Sequence, residues 1–145
     1  MPKITILTVG KAKEPYCKQA IEVYADRLQK KHVVFDSIPQ STKEKETQAL
    51  LKRIEGFSGL IVCLHEHGKQ FSSVEFAAFL KKNLELPILY IMGGPDGIGE
   101  AVLLKSHIRL SLSAMTMPHE LAQVVLLEQL YRAFTILDGK TYHRA

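Results

Sequence analysis

The sequence lacks the features that mark several large classes of protein. Its 145 residues include no tryptophan and two cysteines, Cys17 and Cys63, which lie in apolar contexts and form no C-x-x-C pair. No apolar run approaches the roughly 18 residues that a membrane-spanning helix needs, and the N-terminal run is too short for a signal peptide. We therefore expect a reduced cytoplasmic protein without a membrane partner.

Motifs for common nucleotide and acyl chemistry are also incomplete. Gly94 and Gly99 have the spacing of a phosphate-binding P-loop, but Glu100 stands where that motif needs lysine and Ala101 where it needs a hydroxyl. No G-x-S-x-G sequence is present, so a covalent acyl mechanism has no support. His65 lies near another histidine, but no second cluster has metal-ligand spacing, so we expect no metal site.

Positive charge is concentrated at the N-terminal end of the chain. The formal net charge is +4, and residues 1–31 hold seven Lys and Arg against three acids, whereas the remaining residues hold twelve of each. Three of these lysines, Lys11, Lys13 and Lys18, follow the first apolar run. A basic face suits a nucleic-acid backbone, although it is also compatible with an ordinary solvated surface.

Short apolar runs alternate with amphipathic segments along the chain. Five runs are predicted strands: residues 4–9, 32–38, 59–64, 88–92 and 108–113. Helices are predicted after Pro15, after capping boxes at Ser41 and Ser72, and over residues 118–137. Alternating strands and helices favour one α/β domain over residues 1–145, with a parallel-rich sheet of about five to six strands flanked by helices.

The last predicted helix, residues 118–137, is apolar around nearly its whole circumference. Such a helix must be buried on all sides, and we expect a sheet to cover only one side of it. This predicts a homodimer with the helix in the interface. Glu128 and Arg132 have the spacing of an intrahelical ion pair; the alternative is an arginine that grips RNA phosphate or orients a neighbouring acid.

Loops of small and polar residues follow the fourth and fifth predicted strands. Gly93 and Gly94 begin a glycine-rich turn, which would allow close backbone approach to a ligand other than a triphosphate. The second loop consists of Ser113, Ala114, Met115, Thr116, Met117 and Pro118. Helix capping accounts for Thr116 and for Pro118, but not for the occurrence of both loops at strand ends that we expect to be neighbours.

Three segments taken together, GGPDG, LSLSAMTMPHELAQVVLLEQLYRA and GKTYHRA, closely resemble the RlmH family. The likeness runs from ITILTVGKAKEPY to the end and is densest after Ile88. Members are SPOUT-class methyltransferases that use S-adenosylmethionine (SAM) to methylate N3 of a pseudouridine in bacterial 23S ribosomal RNA. The resemblance implies a SPOUT-type α/β fold with a C-terminal trefoil knot, a rare exception to ordinary chain threading.

The resemblance also implies where the methyl donor binds. The knot loops of the family hold SAM, which here predicts a pocket formed by Leu64, Gly93, Gly94, Ser113, Ala114, Met115, Thr116, Met117 and Pro118. The chain departs from the family pattern at His65 and His67, where Asp and Arg are usual, and at Gln123, where arginine is common. We expect these departures to alter RNA contacts and to leave the donor pocket intact.

The terminal YHR segment supplies the catalytic candidates. His143 would accept or relay the imide proton, Tyr142 would stack on or hydrogen-bond the base, and Arg132, beside Glu128, would hold phosphate together with Arg144. The tail is expected to complete the partner's pocket across the dimer. The alternative is a frayed, solvated terminus.

Two other classes of function remain open on the residues alone. A non-catalytic factor that binds RNA or the ribosome would share the basic first helix, with Lys11, Lys13 and Lys18, but would not bind SAM. A nucleotide-binding regulator with a flavodoxin-like sheet would use the same strand ends, although Glu100 argues against it.

Overall fold

A five-stranded parallel sheet lies between two layers of helices in the computed structural model, which describes residues 2–144. The elements in chain order are β1 (Ile4–Val9), α1 (Pro15–Leu28), a 3-10 turn (Gln29–Lys31), β2 (Val33–Ile38), α2 (Lys43–Ile54), β3 (Leu60–Gln70), α3 (Ser73–Asn83), β4 (Ile88–Met92), α4 (Glu100–Leu103), β5 (Ile108–Ser111) and α5 (His119–Leu137). The strand order is β2-β1-β4-β3-β5, with every pair parallel. The predicted α/β fold with five to six flanked strands is confirmed.

Side chains alternate across the sheet and divide the core in two. Ile6 and Tyr90 point to the face covered by α1, α3 and α5. Leu7 and Ile91 point to the face covered by α2 and α4. Because both faces are covered, every residue of β1 and β4 is buried, which explains their unbroken apolar runs.

Helix α5 packs between α1 and α3 on the first face of the sheet. Leu126, Leu127 and Leu130 are fully buried within one chain. The premise that the sheet alone would cover this helix is therefore wrong, because the two neighbouring helices cover its flanks. A dimer stays a prediction, and it now depends on the narrower outward face of α5.

The return of the chain after β5 is relevant to the predicted knot. Strand β5 lies at the sheet edge beyond β3, whereas α5 lies back between α1 and α3. The chain therefore crosses from the edge towards the middle of the sheet after β5. This path is compatible with the trefoil knot that the resemblance implies, and the knot stays a prediction.

The two predicted capping boxes have different outcomes. At α3, Ser72 and Glu75 each accept a hydrogen bond from the other's backbone N–H, at 3.1 and 2.7 Å, as expected. At α2 the cap is Thr42, one residue later than predicted. The Ser41 amide instead donates to the buried carboxylate of Glu46 at 2.8 Å, a contact that competes with the predicted role.

Two features relate to the predicted cellular environment. Cys17 and Cys63 are both buried and free. Within residues 2–144, no helix combines the length and the apolar character that crossing a membrane requires.

A candidate donor site at the carboxyl ends of the strands

A cavity of about 640 Å³ opens at the carboxyl ends of β4 and β5 and beside residues 64–66 of β3. We call it the strand-end cavity. Eight of the nine residues predicted for the donor pocket line it: Leu64, Gly93, Gly94, Ser113, Met115, Thr116, Met117 and Pro118. Ala114 is exposed and is not among the lining residues. The fold therefore brings together nearly all of this predicted set.

The glycine-rich turn after β4 forms one wall of the cavity. The Gly97 amide donates to the Gly94 carbonyl at 3.0 Å, and Gly97 has φ +77°. A Cβ at Gly93 would lie 2.6 Å from the Gly97 carbonyl carbon, whereas one at Gly94 would lie 3.2 Å from Val9 Cγ1. Gly93 is thus needed to close the turn, and Gly94 packs closely on β1, so ligand approach is not required to explain either glycine.

The loop between β5 and α5 forms a second wall. Ser111 Oγ donates to the Ser113 carbonyl at 3.0 Å, and Ser113 Oγ accepts from the Met115 amide at 2.9 Å. Thr116 does not cap α5; the N-cap is Pro118, and no side chain among residues 2–144 caps this helix. The positive end of the α5 dipole therefore lies at the cavity edge, where it favours an anionic group.

The segment after Leu64 gives the third wall and corrects the predicted strand. β3 does not end at residue 64, because both Leu64 and Lys69 pair with Leu110 and residues 65–68 bulge out between them. His65 in this bulge lines the cavity. Within residues 2–144, no three His, Cys, Asp or Glu side chains group closely enough to hold a metal ion.

The bulge also corrects the expected arrangement of the two loops. In the sheet β3 lies between β4 and β5, so the loops after β4 and β5 follow strands that are not neighbours. The bulge within β3 lies between them and completes one continuous edge of the cavity.

Sequence reasoning missed several residues of the cavity wall: Lys43, Glu66, Asp96, Leu112, His119 and Ala122. Those beside the predicted loops had a usable signal, because ligands of parallel sheets gather at the carboxyl strand ends. Lys43 had none, since it is the first residue of α2 and only the tertiary fold brings it there.

The four predicted catalytic residues meet in one group, which we call the tail cluster: Glu128, Arg132, Tyr142 and His143. Arg132 Nη2 donates to Glu128 Oε2 at 2.8 Å and Arg132 Nε to Oε1 at 3.3 Å. The Tyr142 hydroxyl donates to Glu128 Oε2 at 2.8 Å, and the guanidinium lies over its ring at 4.9 Å. Tyr142 and His143 are thus docked on α5, and this part of the tail is not frayed.

Hydrogen bonds in the tail cluster restrict the protonation of its members. Burial, followed by the hydrogen bond to Glu128, raises the pKa of Tyr142, and hydrogen bonds to Glu128 raise the pKa of Arg132. Arg132 Nη1 lies 3.1 Å from His143 Nδ1. Because a guanidinium only donates, Nδ1 accepts and a neutral imidazole carries its proton on Nε2. In this docked position Nδ1 is engaged by Arg132 and is not open to a substrate.

The tail cluster is separate from the strand-end cavity of its own chain. None of its four members lines the cavity, which reaches α5 only as far as Ala122. Glu128 and Arg132 lie about 9 and 15 Å further along the helix axis, at 1.5 Å per residue. The predicted donor and catalytic residues are therefore not brought together within one chain.

The predicted RNA-binding lysines lie beside the start of α5. Lys11, Lys13 and Lys18 are exposed in the loop after β1 and the first turn of α1, and Arg144 is also exposed. The loop is held by Glu120, whose carboxylate accepts two of its backbone hydrogen bonds. The backbone of Lys13 is thus bonded to Glu120, whose neighbour in sequence, His119, lines the cavity.

The position of Gln123 bears on the expected change in RNA contacts. Its side chain is 1% exposed, and neither amide atom has a partner within residues 2–144. A residue so deeply buried cannot reach RNA phosphate. Gln123 is therefore a feature of the core, and the effect of this departure on RNA contacts stays a prediction.

Comparison with known families gives a match over almost the whole chain. The family model described as "Predicted SPOUT methyltransferase" matches residues 2–143. A curated relative named ribosomal RNA large subunit methyltransferase H, from Maridesulfovibrio salexigens, is 39% identical and covers 99% of each chain. A relative with the same name from Clostridium acetobutylicum is 40% identical over 97% of this chain and 99% of its own.

Solved structures support the same fold. A probable methylase family protein from Haemophilus influenzae aligns with TM-score 0.62 and 15% identity, over 99% of this chain and 71% of its own. The SpoU methyltransferase AviRb from Streptomyces viridochromogenes, solved with its cofactor AdoMet, aligns with TM-score 0.53 and 14% identity, over 95% of this chain and 59% of its own. At these identities the likeness concerns the fold alone.

Proposed function

Because the chain belongs to the SPOUT methyltransferase family, we propose that it methylates N3 of a pseudouridine in 23S ribosomal RNA, with SAM as the methyl donor. The observation that carries this proposal is the strand-end cavity, formed by the loops that the resemblance assigns to the donor. We further propose that the protein acts in the cytoplasm, where ribosomes are assembled.

The cavity has the size and chemistry for SAM. Its volume of about 640 Å³ lies within the range of roughly 300 to 1,000 Å³ for small-molecule sites. Leu64, Leu112 and Met117 offer apolar surface for an adenine ring. The uncapped start of α5 suits the donor's carboxylate. When bound, SAM supplies an electrophilic methyl group on a sulfonium, with no phosphate to neutralise.

Methyl transfer of this kind depends mainly on positioning. The cavity walls would hold the donor while RNA contacts bring the target base into line with it. The base must also lose its N3 proton near the transition state. His143 is proposed to accept or relay that proton, which requires the tail to leave Arg132 so that Nδ1 or Nε2 becomes available.

The tail cluster lies on a face that could receive a second chain. Leu121, Val125, Glu128 and Arg132 follow each other at helical spacing on the outward side of α5, and all are only partly buried. A homodimer formed through this face would bring each tail against the partner. Because the tail is remote from its own cavity, we propose that it completes the partner's site.

RNA contacts are proposed for both ends of the chain. Lys11, Lys13, Lys18 and Arg144 are exposed and would bind phosphate without reading the sequence. Arg132 uses three of its five N–H donors on Glu128 and His143, so two remain for a phosphate oxygen. This arrangement retains both roles that sequence analysis left open for the arginine.

A methylation assay tests the proposal directly. Purified protein is incubated with SAM and, in parallel, with free 23S rRNA, large subunits or whole ribosomes from cells that lack the protein. Mass spectrometry is expected to find one added methyl group on a pseudouridine in at least one substrate. RNA binding without SAM binding would support the non-catalytic factor instead, and binding of ATP without SAM would support the nucleotide regulator.

A further inference from the structure

We propose that Glu120 is a positioning residue that holds the lysine loop, residues 10–14, at the rim of the strand-end cavity for contact with RNA phosphate. The inference rests on the proposed rRNA function and adds to it a residue that touches neither donor nor RNA. It follows from the hydrogen bonds, the placement and the charge of Glu120.

The carboxylate of Glu120 joins two distant parts of the chain. Its Oε1 atom accepts from the Lys13 amide at 2.8 Å and from the Glu14 amide at 2.9 Å, across 107 and 106 residues of sequence. Glu120 is the second residue of α5, and its neighbour His119 lines the cavity. The bonds therefore connect the cavity rim to the backbone of the lysine loop.

The other end of the loop is fixed independently. The Gly10 amide donates to the Ile38 carbonyl at 2.7 Å, and Thr8 Oγ donates to the Gly10 carbonyl at 2.9 Å. At the far end α1 begins at Pro15, and Glu14 forms no side-chain cap. Glu120 binds the two backbone amides that directly precede α1, and the loop is therefore held at both ends.

Charge and position predict opposite effects when Glu120 is removed. A carboxylate beside lysines weakens their attraction for phosphate, so loss of its charge alone would strengthen RNA binding. Loss of the acceptor would release Lys13 and weaken RNA binding, because a mobile loop must be ordered again when RNA binds. The sign of the change therefore separates the two roles.

Three substitutions of Glu120 separate the effect of its charge from the effect of its hydrogen-bond acceptor. Glu120→Ala removes both, Glu120→Gln keeps a carbonyl oxygen that accepts two N–H groups, and Glu120→Asp keeps the charge but withdraws the acceptor by one methylene. Glu22→Ala is the matched control, because Glu22 is an exposed acid of α1. The probe is a 23S rRNA transcript, with its Kd measured over a range of salt concentrations alongside SAM affinity.

We expect Glu120→Ala and Glu120→Asp to weaken transcript binding on the order of tenfold and to reduce its salt dependence. Glu120→Gln and Glu22→Ala should bind as well as the parent or better. SAM affinity should stay within about twofold in all four. Amide hydrogen exchange at Lys13 and Glu14 should accelerate in the Ala and Asp variants and stay slow in Gln.

Other results would overturn the inference. Tighter binding by Glu120→Ala would mean that only its charge matters, and equal losses in the Gln and Asp variants would exclude the acceptor role. The Lys11→Ala/Lys13→Ala double variant separates this inference from the proposed function. If the double variant binds weakly while Glu120→Asp does not, only the role of Glu120 fails. If the double variant binds normally, the proposed lysine contact with RNA fails as well.

Discussion

The strand-end cavity and the tail cluster are built in different ways. The cavity walls are the loops that follow β4 and β5 together with the bulge within β3, and backbone hydrogen bonds and glycine contacts shape them. The tail cluster is held to the middle of α5 mainly by side-chain bonds around Glu128 and Arg132. The cavity is thus shaped by the backbone of the fold, whereas Tyr142 and His143 are attached to α5 by side-chain contacts.

The interactions of the tail are of a size that binding can replace. Tyr142 and His143 each make one hydrogen bond to the Glu128–Arg132 pair, whose side chains are 18% and 23% exposed. Release would cost about 1 to 3 kcal/mol for each charge-assisted bond, in addition to the packing of Tyr142 against Arg132 and Tyr131. The comparison predicts that lesions in the tail reduce turnover and lesions in the cavity reduce donor affinity.

The largest effect is expected at His143, where a substitution should change turnover without changing donor affinity. His143→Ala should lower turnover about 10² to 10⁴-fold, because a positioned acid or base contributes that much, while SAM affinity and melting temperature change little. Glu85→Ala is the control, since Glu85 is exposed and does not line the cavity. Turnover with rRNA and SAM titration measure the two quantities. Normal turnover in His143→Ala would make the tail a structural element only.

A second expected effect concerns the cavity. Ala122→Phe should lower SAM affinity by roughly 100-fold, because the ring would occupy space needed by a ligand whose site buries most of its surface. Ala101→Phe is the control, placed on an exposed position of α4 outside the cavity. Calorimetric titration measures both variants. Unchanged affinity in a folded Ala122→Phe protein would move the donor elsewhere.

Mixed dimers of these two variants test whether the tail acts across the interface. A dimer of one His143→Ala chain and one Ala122→Phe chain has one site with both lesions and one with neither, if each tail serves its partner. Activity should then recover to roughly half that of the parent dimer. If each tail serves its own chain, both sites are damaged and verified mixed dimers should stay inactive.

A smaller effect is expected from the outward face of α5. Leu121→Lys should weaken self-association by about tenfold or more, because it places a charge in the proposed interface. Leu104→Lys is the control at a leucine that is 72% exposed elsewhere. Sedimentation at several concentrations measures the change. Leu127 and Leu130 are unsuitable for this test, because both are fully buried and a lysine there would destabilise the folded chain.

The smallest effect is the pH dependence of tail docking. Because folding raises the pKa of Tyr142, its stabilising contribution is complete below the ordinary tyrosine pKa of about 10 and is lost as pH rises through the higher folded value. Tyr142→Phe should remove this loss of stability at alkaline pH. The near-ultraviolet titration of the variant should also lack one tyrosine that ionises above the ordinary pKa. At neutral pH it should cost about 1 kcal/mol of stability. An unchanged titration would mean that the Tyr142 hydroxyl is solvated.

Local sequence was sufficient to predict those elements whose physical signal lies within one short segment. The buried strands β1 and β4 were predicted from unbroken apolar runs, and the Ser72 cap from residues three apart. The cap of α2 was displaced by one residue because Glu46, buried in the fold, takes the Ser41 amide. Most of the predicted donor pocket met in one cavity because carboxyl ends of parallel strands share an edge.

By itself the sequence determined which segments become strands, which loops follow them and which side chains could bind a donor or RNA, since each depends on residues within a few positions. Only the tertiary structure decided that Gln123 is buried and that Glu120 holds the lysine loop across more than 100 residues. It also decided that His143 lies against Arg132. The reason is that burial and long-range hydrogen bonds depend on how helices pack on the sheet, and the local periodicity of a helix cannot encode its neighbours.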